Sequence, residues 1–353
     1  MISYLSYINT WLRLIPNTGS DEANSVSPSP SLATIGVSLH NEERVAYSLI
    51  ASLAPLVSPK ILVLDHCTDD TLSVVNSSIA KLSLPQQSLF TILINDGPQG
   101  KKHAQRLIVN SASTPYILAT DADCLLSIEW EQTVLAYISK HSPSLLLLPV
   151  GVLRTDSSLR ESLFSIDFIS LQMATIGCAL SGRPTMANGA NICFSKKLYL
   201  AHNANADYAS GDDMFLLSEA KRLNLKVSYC YTPKAIVRTY MPSSWSAFIN
   251  QHARWFRKSS GYSDRDVIRL GWATFSATFL WPILLILLPI NYQWITLSCF
   301  AIKTIFEYLL LKRAQSFFSI SFPTLHIAMF ALIYPILTFI IIIRATFKNK
   351  TSW

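Results

Sequence analysis

Two long stretches without a charged side chain, residues 270–302 and 314–343, limit what this chain can fold into. The first opens GWATFSATFLWPILLILLPI (271–290), long enough as a helix to cross a hydrocarbon layer of ~30 Å. A break at Pro289-Ile290-Asn291 leads to a second run ending near Leu311, which contains Lys303 and Glu307. Their i,i+4 spacing lets them pair on one helix face and lowers the penalty of burial. A third run extends from about Phe322 to Ile343. Buried core helices of a soluble protein fit these lengths poorly, so residues 270–345 read as a transmembrane region of two to three spans.

Basic residues flank the runs: Arg254, Arg257, Lys258, Arg265 and Arg269 before the first, Lys312 and Arg313 before the third. Cationic flanks favour the cytoplasmic side, which places the preceding chain in the cytoplasm, with a bacterial inner membrane as the expected setting. The basic tail 346–353, with Arg344 just before it, is then awkward. Three crossings would put it outside, so either one run is re-entrant or the tail is tolerated there. Overall, 29 Lys and Arg against 22 Asp and Glu give +7 in a chain only 14% charged. That balance excludes a disordered chain and suits an anionic membrane face or a phosphorylated substrate more than a nucleic acid. Six scattered cysteines (67, 124, 178, 193, 230 and 299) exclude a zinc ribbon or disulfide framework. At the other end, residues 1–16 (MISYLSYINTWLRLIP) repeat apolar residues near a helical period, too short to span, and read as an interfacial helix. Residues 17–31, rich in Ser, Asn and Pro, read as a flexible linker.

Between these lies the soluble segment. Strand-like runs LATIGVSL (32–39), KILVLD (60–65), LFTILIND (89–96) and PYILATDAD (115–123) alternate with helical stretches near 41–53, 70–82 and 101–112. Apolar strands separated by helices imply an α/β fold with a mostly parallel sheet covered on both faces, whose ligands bind at the carboxyl edge. Polar groups gather at those strand ends: His40-Asn41-Glu42-Glu43, Asp65-His66, Asp96, and Asp121 with Asp123. The last pair directly follows a buried run, and two carboxylates there suit Mg²⁺ or Mn²⁺, hard cations that bridge diphosphate oxygens. Lys101 and Lys102 either contact nucleotide or are solvated. His40, His66 and His103 match no zinc spacing.

Further on, Asp212 and Asp213 precede Met214, Leu217, Ala220 and Leu223 at helical spacing. One acid would cap that helix; two exceed what a cap needs and suit a general base. Residues 244–262 form a helix whose flank carries Trp245, Phe248, Ile249, His252, Trp255 and Phe256, apt for a membrane interface.

The order of these motifs resembles the membrane-anchored family-2 glycosyltransferases, relatives of cellulose and hyaluronan synthases, over about residues 33–260. HNEERV (40–45) is similar to the N-E segment after the first strand, and VLDHCTDDT (63–71) to the V-D-D-x-S-T-D-x-T segment. GKKHAQ (100–105), TDADC (120–124), NGANICF (188–194), SGDDMFLL (210–217) and QHARW (251–255) resemble, in order, the G-K-x-x-A-x-N, D-x-D, N-G-x-N, catalytic-base and Q-x-x-R-W segments. There are departures: Leu64 replaces the first Asp of the second motif, Ser38 stands where Pro is common, and Gln105 where Asn is common.

The resemblance implies a glycosyltransferase-A-type sheet in a cytosolic domain over 32–243, followed by C-terminal transmembrane helices. It implies Asp213 as catalytic base with Asp212 in support, and Asp121 and Asp123 as metal ligands. Ser38, Glu42, Asp65, Lys101, Asp121 and Arg254 would bind the nucleotide sugar, with Asp65 reading the base. Asn188, Asn191, Gln251 and Trp255 would shape the acceptor site. The reaction it implies is inverting transfer by single displacement from a nucleotide-diphosphate sugar, a UDP-sugar first, to a lipid or lipid-linked glycan. A processive polysaccharide synthase and a non-catalytic membrane subunit of the same fold are the alternatives.

Overall fold

A computed structural model of the chain describes residues 1–16, 29–201, 212–259 and 261–347. The chain opens with α1 (Ile2–Leu14). An alternating succession follows: β1 (Ala33–Leu39), α2 (Glu43–Leu53), β2 (Lys60–Asp65), α3 (Thr71–Ala80), α4 (Leu84–Gln87), β3 (Phe90–Asn95), α5 (Lys101–Ser111), β4 (Tyr116–Asp121) and α6 (Ile128–His141). Short strands β5 (Leu145–Leu147) and β6 (Val150–Leu153) lead to the long α7 (Leu159–Leu180). Then come β7 (Asn191–Ser195), α8 (Lys196–Ala201), α9 (Asp212–Arg222), β8 (Val227–Tyr229) and β9 (Val237–Tyr240). The chain ends in α10 (Trp245–Ser259), α11 (Arg265–Leu287), α12 (Gln293–Phe318) and α13 (Thr324–Phe347).

These elements form two compact units, an α/β unit over Gly19–Leu153 and Ala187–Tyr240 and a helical unit over Met1–Thr18, Arg154–Met186 and Met241–Lys350. In the α/β unit seven strands run in the order β3-β2-β1-β4-β7-β5-β8. The first four are mutually parallel, so their carboxyl ends share one edge. β1 and β2 are buried nearly throughout, as two-sided cover by helices demands. β7 pairs antiparallel with β4 and β5, and β5 parallel with β8. A separate parallel pair, β6 and β9, sets Leu153 opposite Tyr240. The four strands and three helices expected over 32–123 are thus present within a few residues.

The helical unit departs from expectation in two ways. Residues 154–186 were expected inside the sugar-transfer domain, yet they belong here, because α7 is apolar on most of its circumference and packs on α1, α12 and α13. α1, expected at a lipid interface, buries Ile8, Trp11 and Ile15 against protein, packing on α7, α11 and α12. The approach is close: a Cβ at Gly177 of α7 would stand 2.2 Å from Cγ of Trp11. The tyrosine hydroxyl of Tyr4 donates to Glu307 Oε1 at 2.6 Å, and Lys303 Nζ lies 2.7 Å from the same oxygen, so the i,i+4 pair forms as the spacing requires.

Among the described residues, four helical segments are long and apolar enough to cross a membrane: α7, α11, α12 with the turn before it, and α13. Only α7 is mostly enclosed, with 67% of its apolar window buried against 22–28% for the others, which turn large apolar side chains outward. α10 carries the expected aromatic flank, but its centre faces protein: Phe248 is buried and stacks on Phe164 at 4.3 Å, while Trp245 and Phe256 stay exposed. All six cysteines are free, as their spacing suggested. The linker expected over 17–31 falls for the most part outside the described residues.

Candidate active site

The strand ends of the α/β unit build the site. Asp65, last in β2, is 1% exposed and both of its carboxylate oxygens are engaged. Oδ1 accepts from Asn95 Nδ2 at 2.6 Å, and Oδ2 from the Gly100 N–H at 2.8 Å. Asn95 is its register partner on β3, whereas Asp96, expected at this edge, points to solvent. His40 Nδ1 donates to the Asp65 carbonyl at 2.6 Å. Asp65 therefore ties together the loops after β1, β2 and β3, and in doing so fixes Gly100, the residue before α5.

α5 begins with Lys101, and its ammonium bonds Asp121 at the end of β4. Ser38, half-buried on β1, lies opposite Asp121 in the strand register. Asp123, two residues on, accepts from Thr239 Oγ1 of β9 at 3.2 Å. Burial works against the charged Lys101, but Asp121 and then Asp213 outweigh it and hold its pKa above the ordinary lysine value. Burial, followed by the charge of Asp121, raises the Asp123 carboxyl, against a smaller opposing effect from Thr239. Glu42, before α2, is pushed up to about 7 by burial, then by Asp123, Asp121 and Asp69. Glu42 and Asp123 thus crowd with Asp121 in one place, and both hold the proton more tightly through burial first and negative neighbours second.

The base candidate meets this group through Gly189 and Lys101. Asp213, in the first turn of α9, accepts from the Gly189 N–H at Oδ2 (2.9 Å) and from the Met214 N–H at Oδ1 (2.9 Å). A Cβ at Gly189 would stand 3.4 Å from Lys101 Nζ and 3.5 Å from Asp213 Oδ2, ordinary van der Waals distances that show how near both groups come to this backbone. Asp212 is the first residue of α9; the supporting role expected of its side chain lies outside the described residues.

The two asparagines of the N-G-x-N segment separate. Asn188 Oδ1 accepts from the Ala190 N–H at 3.0 Å in a half-buried turn beside Gly189. Asn191, expected to line an acceptor pocket, is 1% exposed. It accepts from Trp130 Nε1 at 2.9 Å and donates to the carbonyls of Pro149 (2.7 Å) and Ala235 (2.9 Å). With every polar atom of its amide bonded inside the unit, Asn191 braces the frame and leaves nothing to offer a substrate. Gln251, Arg254 and Trp255 sit one turn apart on α10, in the helical unit, with Arg254 exposed and the other two half-buried.

Of the residues expected at the site, the structure gathers Glu42, Lys101, Asp121, Asp123 and Asp213, with Ser38 and Asn188 at the margin and Asp65 beneath. Thr239 and Asn95 were not anticipated. Neither lies in a recognisable motif; each earns its place only by pairing with an acid distant in sequence.

No group of three or more His, Cys, Asp or Glu side chains is arranged to hold a metal ion among the described residues. Asp121 and Asp123 nonetheless fit a divalent cation whose other ligands come from substrate: both are oxygen donors, and their repulsion with Glu42 is what a positive charge would relieve.

A mostly parallel sheet flanked by helices, with acids at its carboxyl edge, defines the glycosyltransferase-A type of fold. The chain belongs to the glycosyltransferase-like family 2, whose model matches residues 40–258. Among solved structures it is similar to the mannosyltransferase PcManGT from Pyrobaculum calidifontis, determined with GDP-mannose and Mn²⁺. That likeness has 13% identity and a TM-score of 0.61, over 99% of this chain and 95% of the other. It also matches TarS 1–349 of S. aureus at 16% identity and a TM-score of 0.45, over 91% and 94% of the two chains. No curated protein matches the sequence.

Proposed function

We propose that this glycosyltransferase is an inverting enzyme that moves a sugar from a nucleotide-diphosphate donor to a lipid or lipid-linked glycan at the cytoplasmic face of a membrane. The observation that carries this reading is the meeting of Lys101 with Asp121 on one side and with Asp213, across Gly189, on the other. A leaving-group site and a candidate base are then a few ångströms apart, as a single displacement requires. PcManGT, solved with GDP-mannose and Mn²⁺, lends support to a nucleotide-sugar donor.

Asp213 takes the proton of the acceptor hydroxyl. Its two backbone N–H donors fix the plane of the carboxylate and leave outward lone pairs for that proton. The Lys101 ammonium exchanges Asp121 for the diphosphate and neutralises charge as it departs. Asp121 and Asp123 would hold a Mg²⁺ or Mn²⁺ ion, which supplies Lewis-acid stabilisation of the same leaving group. Asp65 holds Gly100 and so sets where Lys101 starts. Gln251 and Trp255 are assigned to the acceptor side, and Arg254 to the diphosphate as a planar, permanently charged donor.

The test is Asp213→Asn in the full-length protein, read with a panel of nucleotide sugars by released diphosphate and by calorimetry of nucleotide with Mn²⁺. Transfer should fall by about 10²- to 10⁴-fold, the usual contribution of a general base, while nucleotide binding persists. Near-normal turnover removes the proposed base; absence of nucleotide binding in the parent favours a non-catalytic subunit. Product length, one sugar against a ladder, decides against or for a processive synthase.

A further inference from the structure

α13 is the most apolar of the candidate spans, with a mean hydropathy of 2.4, and its length alone reads as a crossing. A third crossing, however, would carry Arg344 and the basic residues after it to the side that cationic segments avoid. The contacts of α13 point elsewhere. At its start, Arg154 Nη1 donates to the Ser321 carbonyl at 3.0 Å and the guanidinium stands 5.8 Å from the Phe322 ring. The same guanidinium donates to Ser162 Oγ of α7, also at 3.0 Å. α13 also packs on α7, whose Asp167 is the carboxylate that His252 of α10 bonds at 2.7 Å. Near its end, Ile341 packs with Phe248 and Phe164, and Arg344 Nε donates to Asn250 Oδ1 at 3.1 Å. α10 and the first turns of α7 therefore both pack on α13.

Those two companions start where the chain leaves the α/β unit. Leu153 of β6 and Tyr240 of β9 are register partners, and the chain leaves these neighbouring strand ends to begin α7 and α10 within six residues. Arg160 Nη1 donates to the Ser243 carbonyl at 2.6 Å, which keeps the two departures together. α10 then carries Gln251, Arg254, Arg257 and Lys258. A 24-residue helix is ~36 Å long. Were α13 upright with Ser321 at the near surface, its Arg344 end would draw Asn250 and the α10 cations far into hydrocarbon. Cations there are strongly disfavoured.

We propose that α13 does not cross the membrane but lies along its near surface, both ends on the side that carries the α/β unit, with α11 and α12 as the crossing pair. Its lipid contact is the outward stripe Leu325, Leu332, Ile336, Phe339, Ile343 and Phe347, all exposed and repeating at helical spacing on one face. The opposite face, with Ile327, Ala331, Pro335, Ile341 and Ala345 buried, meets protein. The occupant of the stripe is the acyl region of the near leaflet, and the C-terminus returns to the side favoured by its own charge.

This inference is independent of the proposed chemistry. It is tested with the full-length chain in sealed vesicles that expose the α/β unit to added protease. One version carries a cleavable epitope after Trp353, another in the turn at Asn291. The C-terminal epitope should be cut without detergent and the Asn291 epitope only with it. A C-terminal epitope protected until detergent is added overturns the proposal; if the Asn291 insertion fails to fold, the C-terminal arm decides alone.

Discussion

Two lysine–carboxylate pairs show how differently the two units use the same chemistry. In the helical unit Lys303 and Glu307 stand one turn apart on α12, 6% and 24% exposed, with Tyr4 donating to the same acid. Among the described residues nothing else charged bonds either partner. In the α/β unit Lys101 and Asp121 come from different elements and are 31% and 36% exposed, and Asp123, Asp213 and Glu42 crowd around them. The first pair neutralises itself so that a helix can sit in an apolar setting. The second is surrounded by alternative partners, so a small rearrangement can exchange one for another. Enclosure and competition, more than distance, separate a structural ion pair from one poised for substrate.

The largest break in that contrast comes from removing each lysine. Lys101→Met should lower turnover by about 10²- to 10³-fold, the scale for losing one electrostatic donor to a developing charge. Its thermal unfolding should change little, and steady-state kinetics beside a melting curve reads both. Lys303→Met should do the reverse: turnover per folded molecule stays near normal, while stability drops by on the order of 1–3 kcal/mol because Glu307 loses its cation. Adding Glu307→Gln to that variant should recover part of the loss, since no half-buried charge is then left over. A turnover defect in Lys303→Met that survives correction for folded fraction would erase the distinction.

A smaller effect sharpens it. The Glu42 carboxyl is raised from the ordinary 4.5 to about 7, so between these values the folded protein keeps a proton that the unfolded chain has shed. Stability of the metal-free protein should therefore fall as pH rises through this window, and Glu42→Gln should flatten the fall. Superimposable melting profiles from pH 5 to 8 would mean that the acids do not repel as the geometry requires.

The strand ends assigned to the chemistry were legible because a parallel sheet advertises itself by uninterrupted apolar runs, each closed by polar residues. β1 to β4, the D-x-D pair, Lys101 and Asp213 follow from that pattern together with the family likeness. What stayed hidden depends on contacts remote in sequence. Asn191 looks like any polar residue of a motif until Trp130, Pro149 and Ala235 surround it. α1 reads as amphipathic whether its apolar side meets lipid or, as here, Trp11 meets Gly177. α7 escaped notice as a member of the helical unit because Arg160, Glu161 and Asp167 interrupt its apolar residues, and only their partners Ser243, Thr155 and His252 explain them.

The saturated amide of Asn191 carries a consequence for anyone reading variants of this protein. Asn188 and Gly189 border the groups proposed to react, and damage there should surface as slow catalysis in molecules that assemble normally. Two or three positions later the same tetrapeptide has become a keystone, joining α6, the end of β5 and the approach to β9. Harm at that spot will show as missing protein, not as a weakened enzyme, and an assay of purified material will never see it.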